Sequence, residues 1–89
     1  MIKAREGFIL QKMMDSYMII AVGEAAKAFN SIIQTNETGA FYWGLIEAGT
    51  TEDALVQAAM ARFEDLEESV ARKDIAEFLA CIAPAINRY

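Results

Sequence analysis

Ser31-Ile32-Ile33-Gln34-Thr35-Asn36-Glu37-Thr38-Gly39-Ala40-Phe41-Tyr42-Trp43-Gly44-Leu45-Ile46-Glu47-Ala48-Gly49 is the stretch in which one structural period gives way to another. Ser31 to Thr35 offers β-branched residues in a run of strand length. From Asn36 the apolar spacing turns helical. Asn36 is a good N-cap, and Glu37 and Thr38 suit a first turn whose free N–H groups favour acids and hydroxyls. Phe41, Leu45 and Ala48 fall at i, i+4 and i+7, with Tyr42 and Ile46 beside them. Gly49 then ends the helix as a C′ residue. The spacing predicts a strand over 31–35 and a helix over 36–48.

Toward the N-terminus the pattern stays β-like. Gly7 to Met13 is short, apolar-rich and bounded by glycine, and Asp15-Ser16 is turn chemistry. Tyr17 to Val22 follows as six apolar residues closed by Gly23. Two such runs across a short polar turn read as a β-hairpin with strands over 7–13 and 17–22. Gly23 to Asn30 reads as a connection with one helical turn around Ala25, Ala26 and Ala28.

Toward the C-terminus two more helices are expected. Thr50-Thr51-Glu52-Asp53 opens one over 51–63, with Thr50 and Asp53 as a loose capping box. The last spans 67–83: Leu66 staples onto Ala71, and Ala71, Ile75, Phe78, Leu79, Ile82 and Ile86 project onto one face. Pro84 marks its end. A neighbouring flank carries only small residues, Ser69, Ala76, Ala80 and Ala83, edged by Arg72 and Lys73. The expected fold is α+β and winged-helix-like: a three-stranded antiparallel N-terminal sheet followed by three helices, in a single domain over 1–89.

Composition narrows the function. With 89 residues, 55% apolar and 24% charged, the chain suits one globular domain. It has no histidine, which removes the commonest general base and metal ligand together. The single cysteine, Cys81, excludes an internal disulfide and has no histidine to activate it. The five glycines stand apart at 7, 23, 39, 44 and 49, so there is no phosphate-cradling loop. Adjacent acids such as Glu64-Asp65 and Glu67-Glu68 complement helix starts rather than forming a shielded acid–base pair. No enzyme activity, cofactor or metal is expected. No apolar run approaches the roughly 18 residues of a membrane span, and no secretory signal is evident, so a cytoplasmic location is expected.

Charge argues against nucleic acid. Residues 36–89 hold four Lys/Arg against ten Asp/Glu, a balance of −6, within a chain of net charge −5. A nucleic-acid binder needs the opposite sign on its helices. Phe41, Tyr42 and Trp43 point in three directions on a helix and cannot form one base-stacking platform.

The run from Thr35 to Glu52, with its Asn36-Glu37-Thr38-Gly39-Ala40 opening and Trp43, closely resembles the signature of the PqqD family, small peptide chaperones named after pyrroloquinoline quinone biosynthesis. Arg5-Glu6-Gly7-Phe8-Ile9-Leu10, Val22-Gly23-Glu24-Ala25-Ala26, Phe29-Asn30, and Asp74 with Phe78 and Leu79 extend the likeness over nearly the whole chain. Ala83-Pro84-Ala85-Ile86 stands where the family often has a glycine turn and a last strand. The resemblance implies a precursor-peptide recognition element that binds the leader of a ribosomally made peptide. It would present that peptide to a modifying enzyme, radical S-adenosylmethionine or other.

In such domains the leader adds beside the third strand and packs on the third helix. An edge strand lacking proline and charge is a ready template for it. The residues implied here are Ser31, Ile32, Ile33, Gln34 and Thr35 on the strand, with Ser69, Ala76 and Ala80 admitting the peptide closely. Arg72 and Lys73 would hold an acidic leader residue. Neither nucleic acid nor membrane is an expected partner; a homodimer is a further option. The competing readings are a winged-helix DNA-binding transcription regulator, which the acidic helices disfavour, and a non-catalytic dimerising adaptor.

Overall fold

A two-residue loop sets the hairpin. In the computed structural model, which describes residues 1–29 and 32–89, Met13 pairs with Ser16 across Met14 and Asp15. Ser16 is therefore already in the ladder, and the turn lies one residue earlier than Asp15-Ser16. Strands β2 (Phe8–Met13) and β3 (Ser16–Ala21) run antiparallel, and β3 pairs in turn with β4 (Ile32–Thr35). The sheet order β2-β3-β4 leaves β4 at an edge. Ser31, expected at the head of this strand, lies outside the described residues. The period of two is kept across the sheet: Phe8 and Ile19 are buried on the inner face, while Ile9, Gln11, Gln34 and Ile32 are exposed on the outer one.

The connection to β4 contains one helical turn, α1 (Ala25–Ala28), as the alanines suggest. Three helices follow: α2 (Glu37–Ala48), α3 (Glu52–Arg62) and α4 (Glu68–Cys81). The α2 cap is the expected Asn36, whose Oδ1 accepts from the Gly39 N–H at 2.9 Å. Gly49 closes α2 at φ +95°, a conformation that side chains with a Cβ rarely adopt. For α3 the cap is Thr51, which accepts from the Ala54 N–H at 3.0 Å, rather than Thr50. Thr50 is instead bridged by backbone bonds to Ile2.

The end of the chain departs from the expected uninterrupted helix over 67–83. After Cys81 a 3₁₀ turn spans Ala83–Ala85 and leads into a strand, β5 (Ile86–Arg88), antiparallel to β1 (Ile2–Ala4). Pro84 explains the break: it lacks the N–H that would continue the ladder of the helix. Each of these strands has only three residues, so neither carries a readable alternation of its own. Their partners lie more than eighty residues apart, and only pairing makes them strands.

The core forms where the inner sheet face meets α2, α3 and α4. Ile19, Trp43, Ile46, Leu55, Val56, Ile75 and Ile82 are fully buried there. Leu66, just before α4, packs against this core as a staple should.

Candidate functional site

The edge strand β4 flows through Asn36 directly into α2, and α4 lies alongside that junction. Between them is a groove of about 410 Å³. Thr35, Asn36, Thr38, Gly39 and Tyr42 form one wall and the floor. Asp74, Glu77, Phe78 and Cys81 form the wall contributed by α4.

Gly39 makes this geometry achievable. A Cβ built there would overlap the Thr35 hydroxyl and stand 3.0 Å from both the Thr35 Cβ and the Phe78 ring. Only a residue without a side chain lets the strand, α2 and α4 come this close. The Tyr42 and Phe78 rings then meet at 5.6 Å with a 51° tilt, giving the groove an aromatic floor. Tyr42 is 4% exposed, and among the described residues its hydroxyl makes no hydrogen bond, though it is reachable from the groove. Burial raises its phenol above the usual tyrosine value, and the nearby Asp74 charge raises it further.

The electrostatics of the groove have one sign. Asp74 and Glu77 are exposed, lie three residues apart on one helix face, and join none of the ion pairs among the described residues. Among the described residues no Lys or Arg lines the groove.

Of the strand residues expected in a site, Ser31 lies outside the described residues, Ile32 to Thr35 form β4, and among these Thr35 lines the groove. Ile33 and Thr35 are half-buried toward the core, and Ile32 and Gln34 are exposed on the outer face. The expected α4 residues, Ser69, Arg72, Lys73, Ala76 and Ala80, are exposed, and none of them lines the groove. Arg72 turns toward α3, where it binds Asp53 at 2.9 Å while also holding Glu68 at 3.0 Å. Helical period explains the difference. From the core-facing Ile75, steps of about 100° put Asp74 and Phe78 on one flank and Arg72 and Ala76 on the other. Both flanks adjoin the buried stripe, so periodicity groups residues without saying which group meets β4. Phe78, an aromatic at the edge of the stripe beside two acids, was the signal that separated them.

Among the described residues no cluster of ligands could hold a metal, and no helix is long and apolar enough to cross a membrane. The groove offers backbone edges, aromatic surface, hydroxyls and two carboxylates. That is equipment for holding an extended chain.

Comparison with known proteins agrees with this architecture. No curated protein matches the sequence. A solved structure described as "TbiB1 in Complex with the TbiA(beta) Leader Peptide" superposes with a TM-score of 0.76 at 17% identity, covering 98% of this chain and 96% of that one. The two share a fold. The family model described as Coenzyme PQQ synthesis protein D (PqqD) matches residues 16–83, about three quarters of the length, and the chain therefore belongs to the PqqD family.

Proposed function

We propose that this chain is a non-catalytic recognition element that captures the leader of a ribosomally made precursor peptide and presents it to a modifying enzyme, of radical S-adenosylmethionine or another type. The observation that carries this reading is the open β4 edge running beside the Phe78 and Tyr42 groove. A peptide can add as a strand to Ile32–Thr35 and place alternate side chains between β4 and α4. The structural neighbour named for its leader-peptide complex supports it, as does family membership. The α4 contribution comes from Asp74, Glu77, Phe78 and Cys81; Ser69, Arg72, Lys73, Ala76 and Ala80 lie on the flank turned away.

Backbone pairing alone is insufficient. About four hydrogen bonds contribute roughly 2–6 kcal/mol. Micromolar affinity requires about 8 kcal/mol. The shortfall, roughly 2–6 kcal/mol, corresponds to roughly 80–240 Å² of apolar burial at about 25 cal/mol per Å². Lost translational freedom enlarges that requirement, so apolar leader side chains must enter the groove.

The test is a fluorescence titration with the leader segments of short peptides encoded near this chain's gene, in wild type and in Ile33→Pro and Gln34→Pro. N–H groups along a strand point alternately to the partner strand and to the open edge, so one substitution removes an outward donor and the other a ladder donor. The variant that loses the outward donor should stay folded by circular dichroism and bind weakly. Wild-type affinity in both folded variants would place the peptide elsewhere.

A further inference from the structure

We infer that the peptide strand this groove accepts carries a lysine or arginine opposite Asp74 and Glu77, rather than an acidic residue. The inference deepens the peptide-binding reading above and rests on it. Three observations carry it. Two carboxylates on one face of α4 line a groove in which, among the described residues, there is no base, and neither carboxylate is engaged in an ion pair there. Lys73 stands four residues before Glu77 yet forms no ion pair with it, and Arg72 is held by Asp53 and Glu68. The Tyr42 side chain, 4% exposed, lies in the floor of the same groove beside Asp74, and among the described residues its hydroxyl makes no hydrogen bond and is reachable from the groove. An ammonium or guanidinium entering here would neutralise both carboxylates while donating to the phenol oxygen. Its aliphatic stem would lie along the Phe78 ring. An acidic side chain would meet two like charges with no Lys or Arg among the described lining residues to offset them.

Both acids are exposed, so the preference is modest for each peptide: about two- to tenfold in affinity for Lys or Arg over Glu. Selection compounds such a ratio over rounds. The probe is a phage-displayed library of random dodecapeptides panned on the full chain. Clones that protect Cys81 from alkylation are scored as groove binders, because Cys81 lines the groove and is the chain's single cysteine.

These clones should be enriched in Lys and Arg over Asp and Glu at one position of an otherwise apolar pattern. Their affinity should fall by a similar factor as salt rises toward about 1 M, where the screening length is roughly 3 Å. Panning on Asp74→Lys/Glu77→Lys should invert the preference to acids. Glu64→Lys/Glu67→Lys, which changes net charge equally away from the groove, should leave it intact. All four positions are exposed, and circular dichroism must show each double variant folded before it is panned.

The outcomes separate cleanly. Groove binders without a basic preference, or a preference that Asp74→Lys/Glu77→Lys leaves unchanged, overturn the charge inference and spare the peptide reading. A library that yields no Cys81-protecting clone overturns the peptide reading itself, and the charge inference with it.

Discussion

Alanine placed at two glycines of the same helix should move stability in different directions. Gly39 and Gly44 both lie within α2, so each substitution gains the helix-propensity difference of up to about 1 kcal/mol. They differ in what a new methyl meets. At Gly44, exposed, nothing lies within 4 Å. At Gly39 the methyl overlaps the Thr35 hydroxyl, and the Thr35 Cβ and Phe78 ring stand 3.0 Å away. Rotating Thr35 moves its hydroxyl but not its Cβ, and a β-branched residue has few wells to choose from. Overpacking of this kind costs about 1–3 kcal/mol. The propensity gain is common to both, so Gly39→Ala should be about 1–3 kcal/mol less stable than Gly44→Ala.

At about 4–8 °C per kcal/mol for a domain of this size, thermal unfolding followed by circular dichroism resolves the gap easily. Thr35→Ala removes the overlapping oxygen. A cycle of Gly39→Ala with Thr35→Ala should therefore show a favourable coupling of about 0.5–3 kcal/mol. Equal melting of the two glycine variants, or an additive cycle, would refute the claim that Gly39 sets the distance between β4, α2 and α4.

Trp43→Ala should cost about 3–5 kcal/mol, a large share of the roughly 5–15 kcal/mol available to a native domain. Trp43→Phe should cost far less, because among the described residues the fully buried indole N–H has no partner and its removal recovers about 1–3 kcal/mol of desolvation; urea midpoints that place the two variants together would contradict this. Tyr42 supplies a pH signature. Its phenol is held above the ordinary value of 10.0, first by burial and second by Asp74, so the folded state resists ionisation. The associated stability is fully present below pH 10 and lost as pH rises through the folded-state value. Tyr42→Phe should flatten that alkaline decline, and an unchanged pH profile counts against it. Finally, with a balance of −6 across residues 36–89, duplex DNA should not bind at physiological salt; a salt-sensitive gel shift at nanomolar protein would reverse that conclusion.

What was legible in the sequence was local. Asn36 as a cap, Gly49 as a stop, the hairpin and the α4 core stripe all rest on neighbours within a few residues, where periodicity and turn chemistry act. What was not legible depends on partners far along the chain. Ile2–Ala4 and Ile86–Arg88 became strands by pairing with each other, and Thr50 was drawn from a cap into a bridge with Ile2. The same limit governed the site. β4 was legible as a strand from its β-branched residues, whereas the flank of α4 facing it depends on the rotation of the helix against the sheet. Arg72 shows how that is decided: its pairing with Asp53 belongs to the α3 side, and Asp74 and Phe78 accordingly face β4.

The run from Thr35 to Tyr42 explains why this fold presents a groove there at all. A strand that passes into a helix after one residue must turn sharply, and the last strand residues then lie close to the first helical turn. Asn36 fixes the turn by taking up the Gly39 N–H, which would otherwise be free at the helix start. Gly39 removes the side chain that would hold Thr35 and Phe78 apart. Tyr42, one turn later, fills the floor against Phe78. Each of Asn36, Gly39 and Tyr42 makes room for, or lines, a channel beside the β4 edge. The specificity then falls to positions outside the motif. On this chain those are Asp74 and Glu77, which give the opposite wall its negative charge.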